Sequence, residues 1–318
     1  MQIGIVIEGQ MGLSYERQRD LARRAESLGF AAFYRTDHYE SFPGPDDQPT
    51  TDAWSVLAGI ARETERIAIG TLVSPVTFRH PGNLAKIAAT VQEMAGRQVH
   101  VGVGAGWQES EHRRHGFEFP AMPVRAEMLE EQLAVVRGLW AGGDGWSFDG
   151  RHYRVRDARF RPRPEPTPYV ITGGEGSPRG MRIAAAYADE FNITSATPVS
   201  AAEKFAALDA ACRAAGRDPS TLGRSAMAGM LIGRDASSLV SSVTRFMERV
   251  GAAGDAERYM APRRARWVMG TPAEAVERIR AFRDAGAQRL LLQHFLPNED
   301  EPLELLDRKS TRLNSSHT

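Results

Sequence analysis

A closed (β/α)8 TIM barrel is the fold that this 318-residue α/β chain predicts, on three observations. Short apolar runs of strand type alternate with amphipathic helical stretches from the first residue onward. Strands joined by such short crossovers lie parallel, because a tight turn cannot close a parallel pair. Eight such runs can be counted, and the turn after the first, Glu8-Gly9-Gln10-Met11-Gly12, lacks the GxGxxG spacing expected of an open dinucleotide-binding sheet. The length also suits one barrel domain, for which about 250 residues is typical.

Gln2–Ile7 reads as the first strand, and Ser14 caps a helix with Leu21, Ala25 and Leu28 on its apolar face and Gly29 as its stop. Ala32–Thr36 is the second strand, followed by a polar, proline-rich loop from Asp37 to Thr50. A helix over Asp52–Thr64 leads to the third strand, Ile67–Val73. Pro81 opens the next helix, with Leu84, Ile87, Ala88 and Val91 on one side and Gly96 at its end. Val99–Val103 is strand four. An insertion from Gly106 to Pro123 precedes a periodic helix carrying Leu129, Leu133, Val136 and Trp140 and stopped by Gly142 and Gly143. Trp146–Phe160 reads as a hairpin turning at Asp149-Gly150, and Pro162–Pro168 as a linker on the barrel rim.

Tyr169–Thr172, Glu190–Ile193, Ser225–Ile232 and Arg289–Gln293 complete the eight. Ser200 with Glu203 and Thr271 with Glu274 have the spacing of capping boxes. Phe205, Leu208 and Cys212 share a helix face, which places Cys212 in the core rather than in a reactive role. Ala236–Arg266 predicts one helix, with Phe246, Met247 and Val250 apolar, and then a mobile Gly/Ala/Arg segment. Residues 1–307 form the expected domain. Residues 308–318, RKSTRLNSSHT, have no periodicity and read as a disordered or artefactual tail.

Composition narrows the function classes. An apolar content of 42% supports a core. Forty basic and forty acidic side chains balance, which argues against nucleic acid as the partner. A single cysteine excludes a disulfide framework and fits a reducing cytoplasm. No apolar run reaches membrane-spanning length, so a cytoplasmic protein acting on a small molecule is expected.

Barrel enzymes place their sites at the carboxyl ends of the strands, and four stretches fall there. Asp37-His38 follows strand two, where a carboxylate beside an imidazole can move protons; a loop pair without a role is the plainer alternative. Leu72 and Val73 leave strand three, where an irregular peptide would form a shelf for a planar ring. Gly102, Gly104 and Gly106 let a flat ligand approach the backbone, and Trp107 offers a ring face. Gly173, Gly174, Glu175, Gly176 and Ser177 open a helix, and free amides with glycines there make an anion cradle for a phosphate. His112 and His115 lack the HExxH spacing of a zinc site and suit a solvated polar helix, so no metal is expected. Arg263, Arg264 and Arg266 read as a charged surface run within reach of an anionic tail, and His294 follows strand eight on the site face.

At TDHY (Thr36–Tyr39), GTLVSPVTFRHP (Gly70–Pro81), VGVGAGWQESEH (Val101–His112), GGEGSP (Gly173–Pro178) and Trp267–Gln293 the chain resembles bacterial luciferase-like oxidoreductases. Within that superfamily it is most similar to the branch that uses the deazaflavin coenzyme F420. The resemblance implies a coenzyme across the barrel mouth, with Asp37 and His38 near its reactive ring. It further implies Leu72-Val73 as a bulge behind the ring, often a cis peptide in relatives, and Gly173–Ser177 around the phosphate. Sugar-phosphate dehydrogenases of the branch carry a glutamate where this chain has Trp107, which argues for a more apolar mouth. Relatives are often dimers, so a homodimer is the expected assembly. The expected function is hydride transfer between F420 and an organic substrate. An FMN-dependent monooxygenase and a barrel that binds flavin without turnover are the alternatives.

Overall fold

The computed structural model describes residues 1–306. Its strands are β1 (Gln2–Ile7), β2 (Ala32–Arg35), β3 (Ala68–Pro75), β4 (His100–Gly104), β5 (Trp146–Asp149), β6 (Arg154–Ala158), β7 (Tyr169–Gly174), β8 (Glu190–Ile193), β9 (Gly223–Ile232), β10 (Val268–Gly270) and β11 (Arg289–His294). Its helices are α1 (Tyr15–Ser27), α2 (Ala53–Glu63), α3 (Pro81–Ala95), α4 (Glu109–His115), α5 (Met122–Ala141), α6 (Pro178–Tyr187), α7 (Pro198–Ala214), α8 (Ala236–Arg249), α9 (Ala256–Met260) and α10 (Pro272–Asp284). The parallel strands run in the order β11-β1-β2-β3-β4-β7-β8-β9, and β9 returns to pair with β11. That pairing closes an eight-stranded barrel and leaves no open edge. The predicted strands are all present, with ends displaced by two residues or fewer.

Alternation sorts each strand into two faces. Ile3, Ile5 and Ile7 pack outward with the helices in the main core, whereas Val6 joins Tyr34, Leu72, Ile171 and Leu291 inside the barrel. Burying each such aliphatic side chain stabilises by about 1.5–3 kcal/mol. Helix starts follow the sequence signals: Ser14 accepts from the Arg17 amide at 3.2 Å, Asp52 caps α2, and Pro81 is the first residue of α3. Gly96 ends α3 at φ 63°, a left-handed conformation that glycine adopts without a Cβ penalty.

Four local expectations are corrected. The box on α7 is made by Thr197 with Ser200, not Ser200 with Glu203, because Pro198 takes the first helical position and starts the helix earlier. The hairpin does not turn at Asp149-Gly150. Asp149 still pairs with Arg154, and the Glu131 carboxylate on α5 accepts the amides of Arg151, His152 and Tyr153 across the intervening loop. The region after Ala236 is ordered further than expected: a box of Asp235 with Ser238 caps α8, Met260 on α9 is fully buried, and β10 extends the sheet beside β9. Finally, α4 is not a solvated helix, since Glu111 and His112 are fully buried. The reading of residues 308–318 as a tail lies outside the described residues. Among the described residues no helix is long and apolar enough to cross a membrane.

Candidate functional site

Inward-facing side chains shrink from the amino to the carboxyl end of the barrel. Along β4 they run His100, Gly102, Gly104, and along β7 Tyr169, Ile171, Gly173. The shrinkage opens a cavity of about 740 Å³ at the carboxyl mouth. Among the predicted residues, His38, Leu72, Val73, Gly104, Gly106, Trp107, Gly173, Gly174 and Glu175 line it. Asp37, Gly176 and Ser177 do not.

The glycines have distinct jobs. A Cβ on Gly104 would lie 2.9 Å from Val73 Cγ2, so this wall closes tightly only with glycine there. A Cβ on Gly174 would meet nothing within 4 Å, because it would project into open space. Opposite Gly104, the Leu72-Val73 peptide is cis, and the β3–β4 register slips between Thr71 and Ser74. The expected irregular shelf is therefore present.

Asp37 sits behind this wall rather than in the cavity. Its carboxylate, 1% exposed, accepts from Ser74 Oγ at 2.6 Å and pairs with Arg79, whose other arm reaches Asp52 at 2.5 Å. Trp54 donates to the same Ser74 hydroxyl. Asp37 thus clamps the end of β2 to the exit of β3 and the start of α2. Its neighbour His38 does face the cavity. Nδ1 lies 2.9 Å from Glu111 Oε1, and Glu111 Oε2 accepts the Tyr39 amide at 3.0 Å. A buried carboxylate on Nδ1 fixes the tautomer and ring plane, which leaves Nε2 as the nitrogen available to a ligand. Phe42 meets the imidazole edge-on at 4.5 Å and Trp107 edge-on at 6.1 Å.

Sequence reasoning missed Glu111, Arg79 and Glu8. Glu8, at the end of β1, lines the cavity and accepts from Gln10 at 2.6 Å, from Thr36 at 3.0 Å and from Gln293. Asn192 is fully buried in the cavity wall; its amide donates to Ser225 while its Oδ1 has no partner. A lone carboxylate ending a strand and an asparagine inside one were the only sequence signals for this floor.

At the expected anion cradle, β7 runs through a glycine-containing loop into α6. Ser177 caps α6 by accepting the Gly180 amide at 3.1 Å, and Gly176 sits at φ 84°. The amides of Glu175, Gly176 and Ser177 have no hydrogen-bond partner among the described residues. Lys204 on α7 packs beside Gly176, and the two help line a second hollow of about 460 Å³. Other candidates lie elsewhere. Arg263 stacks on Tyr259 at 3.6 Å and Arg264 pairs with Glu257. His112 is held between Thr77 and the Gln108 carbonyl. His294 is buried beside the Glu299 carbonyl, and burial pushes its pKa down to about 4.

The family model for luciferase-like monooxygenases matches residues 1–289. The chain is 34% identical over 177 residues to an F420-dependent glucose-6-phosphate dehydrogenase from Microbacterium testaceum (strain StLB037), covering 55% of this chain and 52% of that protein. It therefore spans about half the length of that relative. It is 28% identical over 302 residues to an F420-dependent hydroxymycolic acid dehydrogenase from Mycobacterium tuberculosis, covering 90% of this chain and 80% of the relative. The solved structure of an F420-dependent secondary alcohol dehydrogenase with an F420-acetone adduct superposes with a TM-score of 0.82 at 22% identity, covering 96% and 97% of the two chains. At that identity the superposition establishes the shared barrel. With the family model matching residues 1–289, which hold seven of the eight barrel strands and reach the start of β11, the chain belongs to the luciferase-like monooxygenase family.

Proposed function

We propose that this protein is a two-electron oxidoreductase that exchanges a hydride between coenzyme F420 and a small organic substrate. Coenzyme F420 is named in the descriptions of both relatives above and of the superposed structure. The observation that carries the reading is the glycine wall of Gly104, Gly173 and Gly174 facing the cis Leu72-Val73 shelf, with an oriented imidazole at its edge.

The residues present fit a deazaflavin. Its flat ring system would lie against the glycine wall, and the unpartnered Asn192 Oδ1 would accept a ring N–H, relieving a buried orphan acceptor. The free amides of 175–177 at the start of α6, with Lys204 beside them, would hold the phosphate. When bound, the coenzyme supplies a ring carbon that takes or gives a hydride. His38 handles the accompanying proton at Nε2, and Glu111 holds that ring in one orientation. Phe42, Trp107 and Met122 at the rim exclude water from the reacting groups.

A titration of the purified protein with F420 and with FMN tests the assignment. Binding of F420 at least tenfold tighter than FMN is expected. Equal or reversed affinity, with oxygen consumed in the presence of reduced FMN, would place the protein among the flavin-dependent monooxygenases instead.

A further inference from the structure

We infer that the hollow between α6 and α7 extends the coenzyme site and takes a chain of carboxylates attached beyond the phosphate, an assignment that rests on the coenzyme reading above. Position, charge and shape each point to it.

Position comes first. Gly173, Gly174 and Glu175 line the main cavity, whereas Gly176 and Pro178 line the hollow of about 460 Å³ between α6 and α7. Successive residues of the β7–α6 connection thus face two spaces. The unpartnered amides of Glu175, Gly176 and Ser177 lie at the step between them. A phosphate held there has the ring cavity on one side, and a group esterified to its far side would leave over Gly176 into the hollow.

Charge changes sign across that step. None of the described residues lining the main cavity is Lys or Arg, and its carboxylates are Glu8 and Glu175. The hollow carries Arg182 and Lys204 against one carboxylate, Glu203. On the same two helices Arg179 lies 3.8 Å from Glu130, and Asp209 pairs with Arg224 at 2.6 Å. Neither Arg182 nor Lys204 has an ion-pair partner among the described residues.

Shape completes the fit. The α7 wall includes Ala207, Ala210, Ala211 and Ala214, whose small side chains keep the groove open. A Cβ placed on Gly176 would lie 3.2 Å from Lys204 Cδ, so the lysine stem packs against the cradle loop. Arg182 stands one helical turn beyond Pro178. Cations at two steps along an open groove suit carboxylates repeated along a flexible chain, and the oligoglutamyl tail of F420 is such a chain. Ion pairs this close to water contribute little each, so the gain in affinity should be modest and sensitive to salt.

Calorimetric titration with F420 bearing none, two or six glutamyl residues tests the assignment. The readout is the dissociation constant of the glutamate-free form divided by that of the six-glutamate form, a ratio from which ring and phosphate binding cancel. In the parent it should be about ten at low salt and fall toward one at high salt. Arg182→Gln should lower the ratio to about three, and adding Lys204→Gln should bring it to about one. Arg182→Lys should restore most of the gain, and Glu203→Gln should enlarge it. A parent ratio near one, or a gain that survives in the double variant, would overturn the tail assignment and leave the coenzyme reading standing. Failure of all three forms to bind would overturn the coenzyme reading and this assignment with it.

Discussion

The two ends of the barrel contain similar polar residues but use them in opposite ways. At the amino end, Arg289 donates to Glu190 at 2.8 Å and to the Tyr34 hydroxyl at 3.0 Å, and that hydroxyl reaches His100 Nδ1 at 2.5 Å. Tyr169 adds a further hydrogen bond to Glu190. Large side chains from five strands fill the interior there, and the polar groups pair with one another except for Glu190 Oε1, which has no partner among the described residues. At the carboxyl end two of these strands, β4 and β7, present glycines, and Asn192 Oδ1 and three loop amides are left unpaired. One end is a plug and the other a socket. The difference comes from side-chain volume along the strands, not from the number of polar groups.

The largest expected effect tests the plug. Arg289→Met leaves Glu190, 3% exposed, without its cation and should cost about 3–5 kcal/mol in denaturant unfolding. Coenzyme affinity of the folded fraction should stay unchanged. A variant as stable as the parent would show that the closed end does not depend on this pair. Gly174→Leu tests the socket in the opposite sense. Its side chain enters open space, so stability should move by less than about 0.5 kcal/mol. Calorimetric coenzyme affinity should fall by about a hundredfold, roughly 2.7 kcal/mol; binding that survives would place the ring elsewhere.

Glu111→Gln sharpens the picture of the socket edge. The amide can no longer hold the Nδ1 proton as a carboxylate does, so kcat should fall by about ten- to a hundredfold. The coenzyme dissociation constant should be unchanged, and the pH–rate profile should shift; a profile identical to the parent's would leave Glu111 a purely structural residue. The remaining test is acid sensitivity of the plug. Burial first, and then the Arg289 charge, lower the His100 pKa to about 3, against about 6.5 in an unfolded chain. Between those values the unfolded state binds the extra proton, so the contribution of His100 to stability is complete above about pH 6.5. It declines as pH falls toward 3, by up to about 1.4 kcal/mol per pH unit. Denaturation midpoints that are flat from pH 6.5 to 4 would contradict the burial of a neutral imidazole.

The frame was legible in the sequence because barrel strands are short, buried and punctuated. Ile67–Val73 and Val99–Val103 announce themselves by composition, and Pro81 and Gly96 bracket the helix between them. The glycine wall was legible for the same reason: few other purposes require Gly102, Gly104, Gly173 and Gly174 at strand ends. The polar floor was not. Glu111 meets His38 across a separation of 73 residues, inside a run of charges that reads as a water-facing helix. Asp37 looked chemical because it adjoins His38, yet its partners Ser74 and Arg79 arrive from the end of β3 and the loop after it and turn it into a brace. Pairings set only by tertiary folding leave no local periodicity, and the three-residue β10 is too short to show any.

That brace has a practical consequence for re-engineering. Because the Asp37–Arg79–Asp52 ion pairs fasten the mouth from the rear, the decorations in front carry little of the structural burden. Phe42, Trp107 and Met122 form a set that a combinatorial library can vary together while the scaffold keeps its shape. Selections for new reactants should therefore find more productive variants among these three positions than among the charged anchors behind them.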